Sequence, residues 1–215
     1  MPLVFVSILN FNGKDSTVDC LRSLEKISKE NFSFKVLVID NASKEKLVLP
    51  VFSNMQVGVI KNKENLGFSG GHNVGIKYAL ENGADYVLVL NNDTVIDKNL
   101  ISEMIKSARE DIGIVAPKIY FYAGFEFHKD RYKKEERGKV FWYAGGIMDF
   151  RNVIGRHRGV DEVDHGQYEK EEETDFASGC CMLVRKEVFE KIGVFDDRYF
   201  LYYEDSDLSQ RAKRL

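Results

Sequence analysis

Several things are scarce in this sequence, and each shortage removes a class of protein. There are three cysteines, an odd number, with Cys180 and Cys181 adjacent, so a secreted disulfide framework is disfavoured and a reducing compartment is the natural setting. No run approaches the ~18 apolar residues of a membrane-spanning helix, so any membrane contact is expected to be peripheral. The chain enters its first apolar run straight after Met1-Pro2, without a basic flank or small-residue cleavage site, which argues against a signal peptide. A cytoplasmic protein is expected, with the inner face of the membrane as the surface for any such contact. Neither sign of charge dominates: 31 basic residues stand against 34 acidic ones for a net of -3, so there is no general footprint for nucleic acid. The dinucleotide fingerprint G-x-G-x-x-G is missing after the first apolar run, where only Gly13 stands, and no G-x-x-x-x-G-K-[ST] loop occurs. A nicotinamide enzyme of the Rossmann type is therefore disfavoured.

What is present suits one compact unit: 215 residues, 44% hydrophobic and 12% aromatic, enough for one substantial core. Leu3 to Leu9, Val36 to Ile39, Val57 to Ile60 and Tyr86 to Leu90 read as buried strands. They alternate with helical or irregular connections, which predicts right-handed βαβ crossovers and a mostly parallel α/β sheet. The first helix is expected to be capped by Asp15 or Ser16 and to bury Val18, Leu21, Leu24 and Ile27. Later elements are a helix over Leu100 to Ala108, a strand over Ile112 to Ala116 and a strand pair or strand-and-bulge segment over Val140 to Phe150, bent at Gly145-Gly146. A buried stretch over Phe176 to Val184, a short helix over Arg185 to Ile192 and a last helix from Glu204 to Leu215 follow. Phe121 to Lys139 mixes aromatics with six basic and four acidic residues, and Asp161 to Asp175 carries eight acids and a single lysine. The second of these reads as a mobile, solvated loop.

Polar residues gather after three of the strands: Asn10 and Asn12, then Asp40 and Asn41, then Asn91, Asn92 and Asp93. Carboxyl ends of parallel strands share one edge of a sheet, so these groups are predicted to pool in a single crevice. One acid among small polar side chains after Leu90 suits a hard divalent cation that keeps waters and shares itself with phosphates. An Asx-rich turn with Asp97 capping the next helix is the plainer reading. Between the third and fourth strands, Asn65 to Gly75 places four glycines in nine positions from Gly67. They would allow close backbone approach to a ligand, with a helix over about Gly71 to Leu80 aiming its amino terminus at the crevice, unless they serve sterics alone. Near the carboxyl end, FDDRYFLYYEDSDL puts an aromatic run before Glu204, Asp205 and Asp207. Capping and macrodipole chemistry accounts for one or two of these acids. Three behind an aromatic wall are enough to tune a general base.

In order and spacing, VSILNFNG, VIDNAS, NKENLGFSGGHNVGI, YVLVLNNDT and FDDRYFLYYEDSDLSQR resemble glycosyltransferase family 2, its rhamnosyltransferase-like branch, over nearly the whole chain. The resemblance implies a GT-A fold: a Rossmann-like, mostly parallel sheet flanked by helices, with a mixed subsheet on the acceptor side. Residues 1–215 would form one domain, about 1–97 binding the nucleotide sugar and about 98–215 the acceptor. It further implies an inverting transferase that moves rhamnose or another hexose from a UDP- or dTDP-sugar to a hydroxyl of a saccharide or lipid-linked acceptor. Carried over by position, Asp40 would hydrogen-bond the pyrimidine base with Leu9 and Asn10 beside it, and Asn65 and Gly67 would line the nucleotide pocket. Asn92 would take a ribose or phosphate role. Asp93 alone would supply the carboxylate for Mg²⁺ or Mn²⁺, where the family usually has Asp-x-Asp or Asp-Asp. Asp205 would be the catalytic base and Glu204 its companion, while His72 stands where asparagine is common. The family continues past this last helix, often with a histidine completing the metal site, so the acceptor half is expected to be cut short at Leu215. Two other readings stand beside this one: a sugar-nucleotide-binding module without catalysis, and a nucleotidyltransferase, which the missing basic phosphate loop disfavours.

Overall fold

The computed structural model describes residues 1–29 and 31–215. Four strands open the chain, with helices after the first and the third and an irregular connection after the second: β1 (Leu3–Asn10), α1 (Lys14–Leu24), β2 (Ser33–Asp40), β3 (Val57–Lys61), α2 (Gly67–Glu81) and β4 (Tyr86–Asn91). The second part carries α3 (Leu100–Ser107), β5 (Ile114–Val115), β6 (Ile119–Tyr120), β7 (Phe141–Tyr143), β8 (Gly146–Asp149), β9 (Ile154–His157), β10 (Cys181–Arg185), α4 (Lys186–Ile192) and α5 (Glu204–Ala212). Six strands form one sheet in the order β3-β2-β1-β4-β10-β5. The first four are parallel, and β10 returns antiparallel beside β4.

Apolar runs without alternation build the centre of this sheet because both faces are covered. On one face Val4, Val6, Ile8, Val36, Val38, Leu88 and Leu90 pack with Cys20, Leu21 and Leu24 of α1 and Ile101 and Met104 of α3. On the other Phe5, Val87, Val89, Met182 and Val184 meet Ile76 and Ala79 of α2, Phe189 of α4 and Leu208 of α5. Each such side chain withdrawn from water contributes ~1.5–3 kcal/mol, and the register follows, since a slip of one residue would exchange the two faces. Asn10 pairs with Asp40 and Leu9 with Asn91. The strand ends therefore lie flush along one edge.

Several expectations are corrected in detail. No side chain caps α1, which follows Gly13, and Asp15 and Ser16 are exposed. Leu21, Leu24 and Ile27 are buried as expected, but Thr17, Cys20 and Ser23 complete the buried face of α1 and Val18 is only half-buried, because a three-residue spacing drifts off a 3.6-residue turn. The glycine stretch belongs to the first turns of α2 rather than to a loop. A Cβ at Gly71 would collide with Leu9, and one at Gly75 would lie 2.5 Å from Ser7 Oγ, so these glycines let the helix rest directly on β1 and β2. Next, α3 begins at Leu100, after Asp97 Oδ1 accepts from Asn99 N (2.8 Å) in a turn. The strand expected over Ile112 to Ala116 keeps only Ile114 and Val115. Strands β7 and β8 are not partners. The pairs are β6 with β7 and β8 with β9, because Thr174 and Asp175 already bond Gly146 and Met148 while Arg158 and Glu162 bond Ala144 and Phe141. The acidic stretch is tied to the body: Glu171 to Arg109 (2.8 Å), Asp164 to Lys118 (3.4 Å), Glu172 to Arg158, and Glu173 and Asp175 to Lys213 (3.2 and 3.4 Å).

Candidate active site

The edge where β1, β2 and β4 end is a hydrogen-bonded block. Asn10 donates from Nδ2 to Asp40 Oδ1 (3.2 Å) and Ser43 Oγ (3.0 Å), and its Oδ1 accepts from Gly13 N (3.2 Å) and Thr17 Oγ1 (3.0 Å). A carboxamide has two donor hydrogens and two acceptor lone pairs, so Asn10 is fully used as a brace for its neighbours. Asp40, 2% exposed, receives Asn10 and Ser43 N (3.2 Å) on Oδ1, while Oδ2 faces Lys61 Nζ at 3.8 Å. Asn41, expected at this edge with no assigned role, is the hub of the adjoining loop. Its Nδ2 donates to Asn65 Oδ1 (2.7 Å) and Gly67 O (3.0 Å), and its Oδ1 accepts from Asn62 Nδ2 (3.0 Å) and Leu66 N (3.1 Å). Its place directly after Asp40, at the end of a buried strand, was the available signal.

After β4 the chain turns through Asn92 and Asp93. Asn92 Nδ2 donates to Thr17 Oγ1 (2.9 Å) and Gly13 O (3.3 Å), fixing this turn to the start of α1. Asp93 is exposed and makes no hydrogen bond or ion pair among the described residues. Burial lifts the thiols of Cys20 to about 11 and Cys180 to about 12, and the nearby Asp93 charge adds to both. Among the described residues no three His, Cys, Asp or Glu side chains converge on one point. The protein's contribution to a cation here is one hard carboxylate beside protonated thiols. That donor set fits a hard ion completed by water and phosphate oxygens and not a soft one.

Across the crevice, α5 opens with Glu204 and Asp205. Asp205 Oδ2 accepts from Gly179 N (2.9 Å), and Oδ1 accepts from Ser206 N (2.6 Å) and Ser206 Oγ (3.2 Å). Glu204 is 4% exposed and its Oε2 has no partner. Burial, reinforced by the charge of Asp205, lifts its carboxyl to about 7. His157 donates from Nδ1 to Trp142 O (3.0 Å), which leaves Nε2 as the acceptor of a neutral ring. Burial lowers its pKa although the Asp205 charge opposes this. Tyr199 to Tyr203 are exposed rather than packed into a wall, and Tyr202 and Tyr203 both have left-handed backbones, φ 72 and 69.

The two sides touch at Gly67, whose φ of 71 is open to glycine and strained for other residues. Phe68 N donates to Phe200 O (2.7 Å), and any Cβ on Gly67 would overlap Phe200. The Phe68 ring reaches Gly179, the donor to Asp205. Beneath it lies His72, fully buried, with Nδ1 3.0 Å from Ser7 Oγ and Nε2 unpartnered; burial lowers its pKa to about 3. A cavity of about 1060 Å³ lies elsewhere, between β5 and the acidic stretch, and no predicted site residue lines it.

Comparison with known proteins agrees with this arrangement. The family model of glycosyl transferase family 2 matches residues 5–193. The low-salt glycan biosynthesis hexosyltransferase of Haloferax volcanii is 30% identical over 180 residues, covering 83% of this chain and 53% of that protein. A rhamnosyltransferase of Escherichia coli is 24% identical over 97% of this chain and 76% of its own length. The chain thus spans about half of the first relative and three quarters of the second. Among solved structures, a Pyrobaculum calidifontis mannosyltransferase in complex with GDP-Man and Mn²⁺ superposes with a TM-score of 0.62 at 13% identity, over 95% of this chain and 50% of that one. The S. aureus TarS fragment with UDP-GlcNAc gives 0.60 at 17% identity, over 99% and 53%. With the parallel sheet, its antiparallel return strand and a family match over most of its length, the chain has the GT-A fold and belongs to glycosyltransferase family 2.

Proposed function

We propose that the protein is an inverting transferase that takes a UDP- or dTDP-sugar, rhamnose or another hexose, and delivers the sugar to a hydroxyl of a glycan or lipid-linked acceptor. The observation that carries this reading is the alignment of Asn10, Asp40 and Asn91 along one sheet edge, facing a carboxylate fixed at the start of α5. Asp40 Oδ2 is the acceptor for a pyrimidine N–H, and Asn65, Gly67 and Asn92 line the path from base to diphosphate, with Leu9 supporting α2. Asp93 would hold the Mg²⁺ or Mn²⁺. Such an ion, when bound, neutralises charge on the leaving diphosphate.

The assignment of the base rests on geometry first and acidity second. Glu204 has a pKa of about 7, well suited to proton transfer at neutral pH, but is shut away from solvent. Asp205 is partly exposed and oriented through both oxygens. It therefore takes the proton of the acceptor hydroxyl as that oxygen attacks, and Glu204 sits behind it as companion. One carboxylate acting at the reacting centre leads to inversion by a single displacement. The relatives that fit this reading include a rhamnosyltransferase and a hexosyltransferase by name, and a mycobacterial rhamnosyltransferase named for a diphospho-decaprenol acceptor is 56% identical over a stretch of 34 residues. A lipid-linked acceptor also suits a cytoplasmic protein that meets the inner face of the membrane from outside the bilayer.

The single metal-binding carboxylate favours one other reading, a module that binds the sugar nucleotide without turning it over. Melting temperatures with UDP, dTDP, GDP and ADP, with and without Mn²⁺, test the donor, because a ligand at ~100 times its Kd stabilises the fold by about 2.7 kcal/mol. The expected result is a metal-dependent rise with UDP or dTDP. A rise with GDP alone, or with none of the four, would sink the proposal. Sugar transfer, or donor hydrolysis with Mn²⁺ present, separates the enzyme from the binding module.

A further inference from the structure

The stretch from Tyr120 to Lys139 has no part in the site just described, and a buried carboxylate shapes it. Glu126, 1% exposed, accepts from Gly124 N and Gly138 N, both at 2.8 Å. Phe125 N closes a turn on Tyr122 O (2.8 Å), Lys133 N donates to Glu136 Oε2 (2.7 Å), and Asp161 gathers His128 (2.9 Å), Arg131 (3.0 Å) and Tyr132. With Glu126 directed inward, Phe125 on one side and Phe127 on the other stand out into water, 72% and 67% exposed, beside Tyr122 at 68%. A fixed backbone that holds three large rings in solvent is the signature of a surface that something covers.

Basic residues outnumber acidic ones six to four from Phe121 to Lys139, and of the four acids Glu126 is buried while Asp130 and Glu135 are exposed. Lys129 Nζ lies 5.6 Å from the centre of the Phe125 ring. Lys133, Lys134 and Lys139 are exposed and pair with no acid among the described residues. Protein interfaces collect aromatics but are depleted in lysine. The boundary of an anionic bilayer collects both, rings at headgroup depth and lysines against phosphates. We propose that residues 120–139 form a docking surface for an anionic lipid bilayer, with Tyr122, Phe125 and Phe127 entering the headgroup layer and Lys129, Lys133 and Lys134 lying on it. Among the described residues no helix is long and apolar enough to cross a membrane, and the docking is peripheral. The proposal rests on the membrane contact inferred above and names the surface that makes it.

Flotation of the protein with vesicles of phosphatidylcholine, pure or mixed with phosphatidylglycerol, tests this. The protein should float with the mixed vesicles and only weakly with the neutral ones. Phe125→Ser combined with Phe127→Ser should weaken binding about tenfold or more. Lys133→Gln combined with Lys134→Gln should do so by a similar factor on mixed vesicles alone, most at low salt. Failure of the unsubstituted protein to bind mixed vesicles, or full binding by the double phenylalanine variant, would overturn the proposal. So would self-association in sedimentation that the same substitutions abolish while vesicle binding persists, since the surface would then join two copies of the chain. The nucleotide melting shifts should be unchanged in both variants. A failed donor reading would show there as no shift in any protein, whatever the vesicles show.

Discussion

The two sides of the crevice are built on opposite principles. On the sheet side, polar groups satisfy one another before any ligand arrives: Asn10 uses every donor and acceptor it has, and Asn41 makes four hydrogen bonds within the loop it organises. On the α5 side, Glu204 Oε2 is buried without a partner, Tyr202 and Tyr203 hold left-handed backbones, and the aromatics from Tyr199 onward stand in water. Left-handed residues of this kind cost ~1–3 kcal/mol each and persist where function selects for them. The first side is therefore fixed before any ligand arrives. The second keeps exposed aromatic surface over a buried, unpaired carboxylate oxygen. Ser69 Oγ and His72 Nε2, both on α2, are exceptions on the sheet side, and the His72 ring lies against Phe68 and Phe195, where the two sides meet.

The largest effect that would test this contrast is on stability. Leu88 is fully buried at the centre of the sheet, and Leu88→Ala should destabilise by ~2–5 kcal/mol. Phe121, in the small cluster with Tyr132 and Val140, keeps 9% exposure, and Phe121→Ala should cost no more than the lower end of the range for aromatic truncation, ~3 kcal/mol. Denaturant unfolding of both variants measures the difference. A greater loss at Phe121 than at Leu88 would mean that the peripheral elements, not the central sheet, hold the fold.

Next in size is the chemical step. Asp205→Asn preserves shape but keeps one acceptor oxygen, enough for Ser206 or Gly179 and not both, and it cannot take a proton, so transfer should fall by ~10²-fold or more while donor binding persists and melting temperature drops only modestly. A damaged helix start predicts the reverse, lower melting temperature with turnover per folded molecule intact. Near-normal turnover in the folded variant would remove Asp205 from the mechanism and turn attention to Glu204.

The sheet side was legible in the sequence and much of the α5 side was not, for a physical reason. A strand buried on both faces writes itself as an unbroken apolar run, and parallel strands must end together, so the crevice edge followed from Leu3 to Leu9, Val36 to Ile39 and Tyr86 to Leu90. The glycines of α2 could not be assigned from sequence, because close packing of a helix on a sheet, seen at Gly71 and Gly75, and close approach to a ligand demand the same absence of Cβ. The partners of β7 and β8 depend on bonds to residues up to 28 positions away, such as Gly146 N to Thr174, and no local pattern announces them. Most acids in Asp161 to Asp175 are exposed, as expected, but their ion pairs were not legible because the basic partners, Arg109, Lys118 and Lys213 among them, are remote in the chain. The brace role of Gly179 for Asp205 was hidden in the same way, 26 residues upstream.

The contrast also predicts a pH dependence that belongs to one side. Glu204 is lifted to about 7 from 4.5, first by burial and then by the Asp205 charge. Between these values the folded protein keeps a proton that the unfolded chain has released, so stability falls as pH rises through the window and levels off above it. Glu204→Gln removes this slope. Relative to its standing near pH 4.5, the variant should gain ~1–3 kcal/mol on the unsubstituted protein once the pH is above 7. Its loss of transfer should be milder than that of Asp205→Asn. Parallel unfolding curves at all pH values would show that Glu204 is not perturbed.

The smallest effect expected is at Asp40, and it separates the braced side's architecture from its recognition. Asp40 Oδ1 is committed to Asn10 and Ser43, while Oδ2 faces Lys61 Nζ at 3.8 Å and is the oxygen proposed to read the base. Asp40→Asn can keep its oxygen on those two donors and present its amide nitrogen in the place of Oδ2. The block of hydrogen bonds then survives, and melting temperature without ligand should shift little. A pyrimidine N–H would meet a donor where it needs an acceptor, and affinity for UDP or dTDP should drop about tenfold, equivalent to about 1.4 kcal/mol. Calorimetry on both proteins reads this directly. Equal affinity would make Asp40 a turn residue that shapes the edge without reading the base. A large fall in stability with affinity unchanged per folded molecule would show instead that the Lys61 contact at 3.8 Å, and not a ligand, is what Oδ2 serves.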